Sequence, residues 1–264
     1  MTIAHPMRRA TAAFAFAALL TLLTTAASGC RASRPALPVS LVSPYPGQTE
    51  VVWAAAPLRN ESGVSIVDEL AVTDALVNEV QSVLGITCLP VNRTLGAMRA
   101  LRLPSVNSPE QALALARALG VDGILVGTIT AWDPYDPPTL GLSIAVFGQS
   151  ATMRTPQPAA LNAESIRSAP SDTAAGAAVL TAPLGPLSVV SEVYDASDGE
   201  TREAVRRYAE GRHDPKSALA WKRYTASMGL YAKFACFDLV ERLLDSERAR
   251  LAGLAARAET TTPP

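Results

Sequence analysis

From Thr49 to Ala131 the apolar residues change period, near two in some stretches and near three and a half in others, in the order strand, helix, strand, helix, strand. That order predicts a parallel sheet with helices packed on it. Val51, Trp53 and Ala55 alternate as a strand until Asn60-Glu61-Ser62-Gly63 breaks it. Ile66, Val67, Leu70, Val77, Val80 and Leu84 then recur on one helical face, and Gly85 stops that helix. Ile86 to Val91 is a short apolar run, and Asn92 leads into a small helix carrying Leu95, Met98 and Leu101 that ends by Pro104. The best-marked helix start follows, with Ser108 as N-cap, Pro109 at the first helical position and Gln111 three residues after the cap. Ala112, Leu115, Ala116 and Leu119 form its buried face and Gly120 closes it. Gly123 to Thr130 is a strand apolar enough to be buried on both faces, with Val126 at its centre.

Past Ala131, the turn Trp132-Asp133-Pro134-Tyr135-Asp136-Pro137-Pro138 has two readings. One is a docking loop with Trp132 and Tyr135 as anchors; the other is a proline-set turn whose aromatics cover the sheet edge. Leu140 to Phe147 is the next strand, and a turn this short makes it antiparallel. Residues 148–186 lose all periodicity and read as a disordered insert. Leu187 to Ala196 resumes as a strand with Val189, Val193 and Tyr194 for burial, pairing with the strand that ends at Phe147. Ser197 and Glu200 then form a second capping box before a helix to Arg212. Asp214-Pro215 opens a long helix from Lys216 to about Ala258, with Gly229 as the plausible break. Its second half has a thinner stripe, in which Leu251 and Leu254 extend the pattern of Phe237, Val240 and Leu244. That half either frays or makes a contact between copies. The fold class expected is α/β: a mixed, mostly parallel sheet of about five strands with packed helices, plus a long helical C-terminal extension.

The first residues are an address rather than fold. Arg8 and Arg9 precede an uncharged run from Ala10 to Ala27, and Ser28-Gly29-Cys30 closes it, the order of a secretory signal over residues 1–29. A cysteine after small residues resembles the bacterial lipobox, in which the thiol is joined to diacylglycerol and becomes the first mature residue. That pattern prefers Leu three residues before the cysteine, where this chain has Ala27. By the resemblance Cys30 is lipidated and incorporates palmitate. Arg31 stands where inner-membrane retention uses Asp, so the expected address is the outer membrane, facing the periplasm. Residues 30–48, with Pro35, Pro38, Pro44 and Pro46, read as an extended tether. The α/β domain then spans 49–196, the C-terminal helices 197–258 and a disordered tail 259–264.

Losing Arg8 and Arg9 with the leader leaves 21 Lys and Arg against 24 Asp and Glu, a net charge of −3. That balance gives no basic surface for nucleic acid.

The core stretch is similar to a known envelope domain. Its strand ends in Ala56-Pro57-Leu58-Arg59-Asn60-Glu61-Ser62-Gly63, and Leu89-Pro90-Val91-Asn92-Arg93 follows. The late strand is Gly120-Val121-Asp122-Gly123-Ile124-Leu125-Val126-Gly127-Thr128-Ile129. Over residues 50–131 these motifs resemble the N-terminal domain of TolB and the curli-secretion lipoproteins of the CsgG type. The resemblance implies a three-layer-like α/β domain in a bacterial envelope lipoprotein. It stops after Thr130, where neither the membrane hairpins of the secretion channel nor the repeated blades of the TolB propeller follow.

Candidate chemistry is sparse. After the leader the one histidine is His213, between helices, so His-based metal sites and triads are hard to build. Asn60-Glu61-Ser62-Gly63 lacks the lysine and glycine spacing of a phosphate loop, and a turn is the simpler account than an anion site. Asp133 and Asp136 could form an acid/base pair only in an environment that separates their pKa values. Cys88 and Cys236 are expected as separate buried thiols, with a disulfide as the other reading. Asn92-Arg93-Thr94 matches a glycosylation acceptor by chance. No catalytic, cofactor or metal residue is assigned. The expectation is a non-enzymatic scaffold or assembly component, bound to lipid through Cys30 and to itself or another envelope protein. The alternatives are a secretion or transport subunit, and a hydrolase of envelope polymers using Asp133 and Asp136.

Overall fold

A computed structural model describes residues 39–45, 50–154, 185–214 and 216–261, the side chains as far as 257. The leader with Cys30, most of the tether and most of the 148–186 insert lie outside the described residues. So does the end of the tail.

Strand β1 (Val51–Ala55) lies between β3 (Ile86–Cys88) and β4 (Gly123–Asp133), parallel to both. The line of β1 is interrupted at Pro57, which has no N–H to give a ladder. It resumes as the two-residue β2 (Arg59–Asn60), parallel to the far half of β4. At the break, Leu58 donates its N–H to Thr73 Oγ1 at 3.0 Å, so no donor is lost. β4 and β5 (Thr139–Gly148) form an antiparallel hairpin, and β6 (Ser188–Asp195) adds antiparallel to β5. The sheet is therefore mixed, in the order β3-β1-β4-β5-β6 with β2 beside β4.

Helix α1 (Glu69–Gln81) starts at Asp68, whose carboxylate accepts from Ala71 N. Its buried face is Val72, Leu76, Val77 and Val80, whereas Ile66, Leu70 and Leu84 are 69%, 45% and 60% exposed. The expected stripe was too long because the helix is shorter than the pattern; Ile66 and Leu84 lie in the loops that flank it. Helices α2 (Val91–Ala100) and α3 (Pro109–Leu119) follow. Leu101 lies just past α2 and is exposed. α3 matches its sequence signals: Ser108 Oγ accepts from Gln111 N, and Gly120 closes the helix at φ 65°. Gln111 Oε1 returns a bond, but to Asn107 N rather than to the cap itself.

After β5 the chain makes a single helical turn, α4 (Ala151–Arg154), which buries Met153, so order extends past the residue at which the insert was expected to begin. Helix α5 (Gly199–Ala209) is capped by Asp198, not Ser197; the Ser197 N–H goes instead to Asp195 Oδ1. Residues 216–227 are irregular, with a 3-10 turn at Ala220–Tyr224, and the long helix α6 begins only at Met228 and runs to Thr261. Gly229 sits in its first turn and breaks nothing.

α6 covers the face of the sheet that carries Leu125, Ile129, Leu140, Leu142, Ile144 and Tyr194, together with α1. Its buried stripe passes through Tyr231, Phe234, Val240 and Leu244 to Leu251, so the second half is held in place rather than frayed. α2 and α3 cover the opposite face, where Met98, Leu115 and Ala116 meet Ala54 and Ile124.

Candidate functional site

The two faces are covered unequally. α3 reaches only as far as the start of β4, and beyond it Val126 and Ala145 are half-buried. Val126 is thus not buried on both faces as its strand pattern suggested. It forms the floor of an open cavity of about 250 Å³ with Thr128, Ser143 and Ala145, walled by Arg59 and Pro109. The register carries this face on to β6: Val126 pairs with Ala145 and Ala145 with Val189, while Gly141 pairs with Val193. Val189 and Val193 are 54% and 60% exposed, against the burial expected of them; only Tyr194, pointing the other way, is buried.

Among the described residues the cavity's one lining cation, Arg59, is already engaged. Arg59 donates to Asn107 Oδ1 at 2.6 Å and forms an ion pair with Glu61. The helix start beside it is closed by its own side chains, and Ser108 holds the exposed Glu110 carboxyl below its ordinary range. These contacts suit the site to apolar and small polar surface, not to a phosphate.

The Asn60-Glu61-Ser62-Gly63 loop is a self-satisfied turn. Asn60 Oδ1 accepts from Ser62 N and Ser62 Oγ, Asn60 Nδ2 donates to Val64 O, and Gly63 takes φ 77°. α1 begins after Asp68, so this loop does not sit on a helix N-terminus.

Among the residues singled out from sequence, Trp132 and Tyr135 separate. Trp132 is half-buried against the main core, whereas Tyr135 stands 76% exposed at the tip of the β4–β5 hairpin. Asp133 and Asp136 are exposed on the same tip, and Asp133 Oδ1 accepts from Tyr135 N at 3.1 Å, a turn-holding role. Cys88 and Cys236 are free buried thiols. Burial pushes Cys88 up to about 12 and Cys236 higher still, which makes both unreactive. His213 is half-buried, its Nδ1 2.6 Å from Ala209 O. Among the described residues no group of three or more His, Cys, Asp or Glu is placed to hold a metal, and no helix is long and apolar enough to cross a membrane.

One polar cluster went unnoticed in the sequence. Glu247 of α6 is fully buried, accepting from Tyr45 Oη at 2.9 Å and from Ser188 Oγ, with Arg250 donating to both carboxylate oxygens at 2.9 and 2.7 Å. Arg250 also reaches Met153 O at 2.6 Å. The cluster ties four segments together.

The class that fold and site define is a mixed α/β domain with one half-face of its sheet uncovered among the described residues. No family model and no curated protein matches the chain. Among solved structures it is similar to the LpoB C-terminal domain from Salmonella enterica, at 15% identity and TM-score 0.37, over 57% of this chain and 87% of that one. Lipoprotein GNA1162 from Neisseria meningitidis is similar at 14% identity and TM-score 0.32, over 55% and 80%. A PelC dodecamer from Paraburkholderia phytofirmans is similar at 9% identity and TM-score 0.33, over 81% and 95%. None of these three is a TolB or a curli-secretion protein.

Proposed function

We propose that this chain is a lipid-anchored protein of the bacterial cell envelope whose α/β domain is a non-enzymatic docking module, a scaffold or assembly component. The anchor rests on the leader: two arginines, an apolar run, then small residues up to Cys30, with Arg31 favouring the outer membrane. The docking role rests on one structural observation, the uncovered half-face of β4, β5 and β6, where half-buried Val126 and exposed Val189 and Val193 stand beside an open apolar cavity. Contiguous apolar surface of this kind marks interaction sites. Exposed Tyr135, at the end of the same hairpin, is a further contact point; Trp132 is half-buried against the main core. The hydrolase alternative loses its footing, since Asp133 and Asp136 stand on an exposed tip rather than in a cleft.

Two measurements test this. Labelled palmitate should enter the wild-type chain, and Cys30→Ser should release it from the membrane fraction; a mutant that stays bound ends the anchor reading. A photo-crosslinking residue placed at Ala145 or Tyr135 should give discrete protein adducts in intact cells, and one at Arg248 on the outside of α6 should not. Equal labelling from all three positions would remove the docking face.

A further inference from the structure

Strand β6 ends the sheet, and its outer edge has no partner among the described residues. Its register with β5 runs through eight consecutive pairs without a shift. The bond from Ala196 N to Pro138 O, 3.0 Å, fixes which residues turn inward. Counting back by twos, Tyr194, Glu192, Val190 and Ser188 direct N–H and C=O at β5, and Val189, Ser191 and Val193 direct theirs outward. The same three residues set their side chains on the uncovered face, where all are exposed. Proteins blunt free edges with proline, lysine or a bulge. The strand Ser-Val-Val-Ser-Glu-Val-Tyr-Asp has no proline, lysine or register shift, and Glu192, a charge on its other face, is held by Arg242.

We propose that this edge pairs with the same edge of a second copy of the chain, β6 antiparallel to β6, about a two-fold axis at Ser191. The strand is self-complementary in this register. Ser191 meets Ser191 of the second copy, and Val189 meets Val193 twice, so every outward N–H and C=O of the three residues finds a partner. On the other face Glu192 lies opposite Val190 of the second copy, so no like charges meet there, and Glu192 keeps its 3.1 Å ion pair with Arg242. An axis moved to Val193 would leave Val189 unpaired and bring together the acidic ends that carry Asp195, Asp198 and Glu200. At Ser191 each acidic end instead lies beside the uncharged Gly185-Pro186-Leu187-Ser188 of the other copy. Opposite apolar pairs stabilise an antiparallel ladder, and like charges directly opposite weaken it.

An edge-to-edge contact is small, so the inference rests on the anchor reading: copies tethered in one leaflet meet at high effective concentration. The test uses the full-length chain in its own membranes. Residues paired in this way stand about 5.5 Å apart between Cα atoms, within disulfide reach. Ser191→Cys should give a covalent dimer under mild oxidation. Val189→Cys and Val193→Cys should each give none alone and a dimer when co-expressed, and Glu192→Cys, turned toward α6, should give none. All four are substitutions on an outer strand, and circular dichroism of each confirms folding. Absence of the Ser191→Cys dimer from membrane-bound protein overturns the pairing, as does a Val189→Cys dimer as abundant as the mixed one. Failure of the anchor reading shows separately, as wild-type protein missing from the membrane fraction whatever the disulfides do.

Discussion

Removing the Glu247 carboxylate should destabilise the domain more than any other single polar change at the surface or in the core. Glu247→Ala leaves three donors without their acceptor: Tyr45 Oη, Ser188 Oγ and the guanidinium of Arg250, whose side chain is only 18% exposed. Burial, and then Glu247 alongside, raises the Tyr45 hydroxyl far above its ordinary value, so in the wild type it stays protonated and donates to that carboxylate. Breaking a buried ion pair from one side costs about 3–5 kcal/mol. In a domain of this size each kcal/mol moves the melting temperature by about 2–4 °C, so the fall should be about 6–20 °C. Glu247→Gln keeps one carbonyl oxygen and the side-chain volume and should lose about half as much. The assay is a near-ultraviolet circular dichroism melt of the leaderless chain at pH 7, repeated in high salt, which should change little because the pair is shielded from solvent. A Glu247→Ala protein that melts within about 2 °C of wild type would show that the four joined segments do not depend on the cluster.

Two further outcomes follow from burial. Burial raises Glu79 above its ordinary 4.5, against the pull of the Tyr208 hydroxyl at 3.1 Å, Arg212 and Lys233. A carboxyl raised in the fold contributes stability that is complete below the unfolded value and lost as pH rises through the folded one. Glu79→Gln, which can still accept from Tyr208, should therefore melt higher than wild type at pH 7, and the gap should close on lowering the pH to 4; melts across that range check it, and a constant gap refutes it. On β4, Leu125→Asp should cost several kcal/mol, since Leu125 is 1% exposed beneath the α1 and α6 layer, whereas Val126→Asp, at a cavity that reaches solvent, should cost about 1 kcal/mol. Denaturant titrations compare the two, and equal losses would mean that both faces of β4 are closed.

Local signals were the legible part of the sequence. Ser108, Pro109, Gln111 and Gly120 each mark a backbone event that their own chemistry determines, and α3 starts and stops where they say. Where two residues could serve, the pattern could not choose: Ser197 and Asp198 are adjacent capping types, and the carboxylate takes the helix. Asp214-Pro215 carries the same signature as Ser108-Pro109, yet α6 begins at Met228; before it a 3-10 turn sets Tyr224 edge-on to Tyr208 at 5.4 Å, and Tyr208 packs at a tilt on Phe237 at 5.1 Å. Those are tertiary contacts with no local trace. The Glu247 cluster was invisible for the same reason, as its partners Tyr45 and Ser188 are 202 and 59 residues away. Period two showed which residues of β6 share a face but not whether a helix covers that face, and so Val189 and Val193 were expected to be buried.

That uncovered face follows from the order in which the elements are joined. The chain passes from β1 through α1 to β3 on one side, then from β3 through α2 and α3 back across β1 to β4 on the other. Crossovers between parallel strands are right-handed, so two that travel in opposite directions must lay their helices on opposite faces. Hence α1 meets the Leu125 face and α3 the Ile124 face. From β4 onward the described sheet grows by antiparallel pairing, β5 then β6. The last helix takes the α1 side, where Leu140, Leu142 and Ile144 are the larger apolar surface. Among the described residues nothing is left to cross to the α3 side beyond Val126. Small and polar residues, Thr128, Ser143 and Ser191, soften that surface, but Val189 and Val193 at its edge keep it apolar where the outward N–H and C=O groups have no partner among the described residues. A strand presenting both features at once is matched by another strand rather than by a small molecule, and that is why the contact proposed for this domain lies along β6.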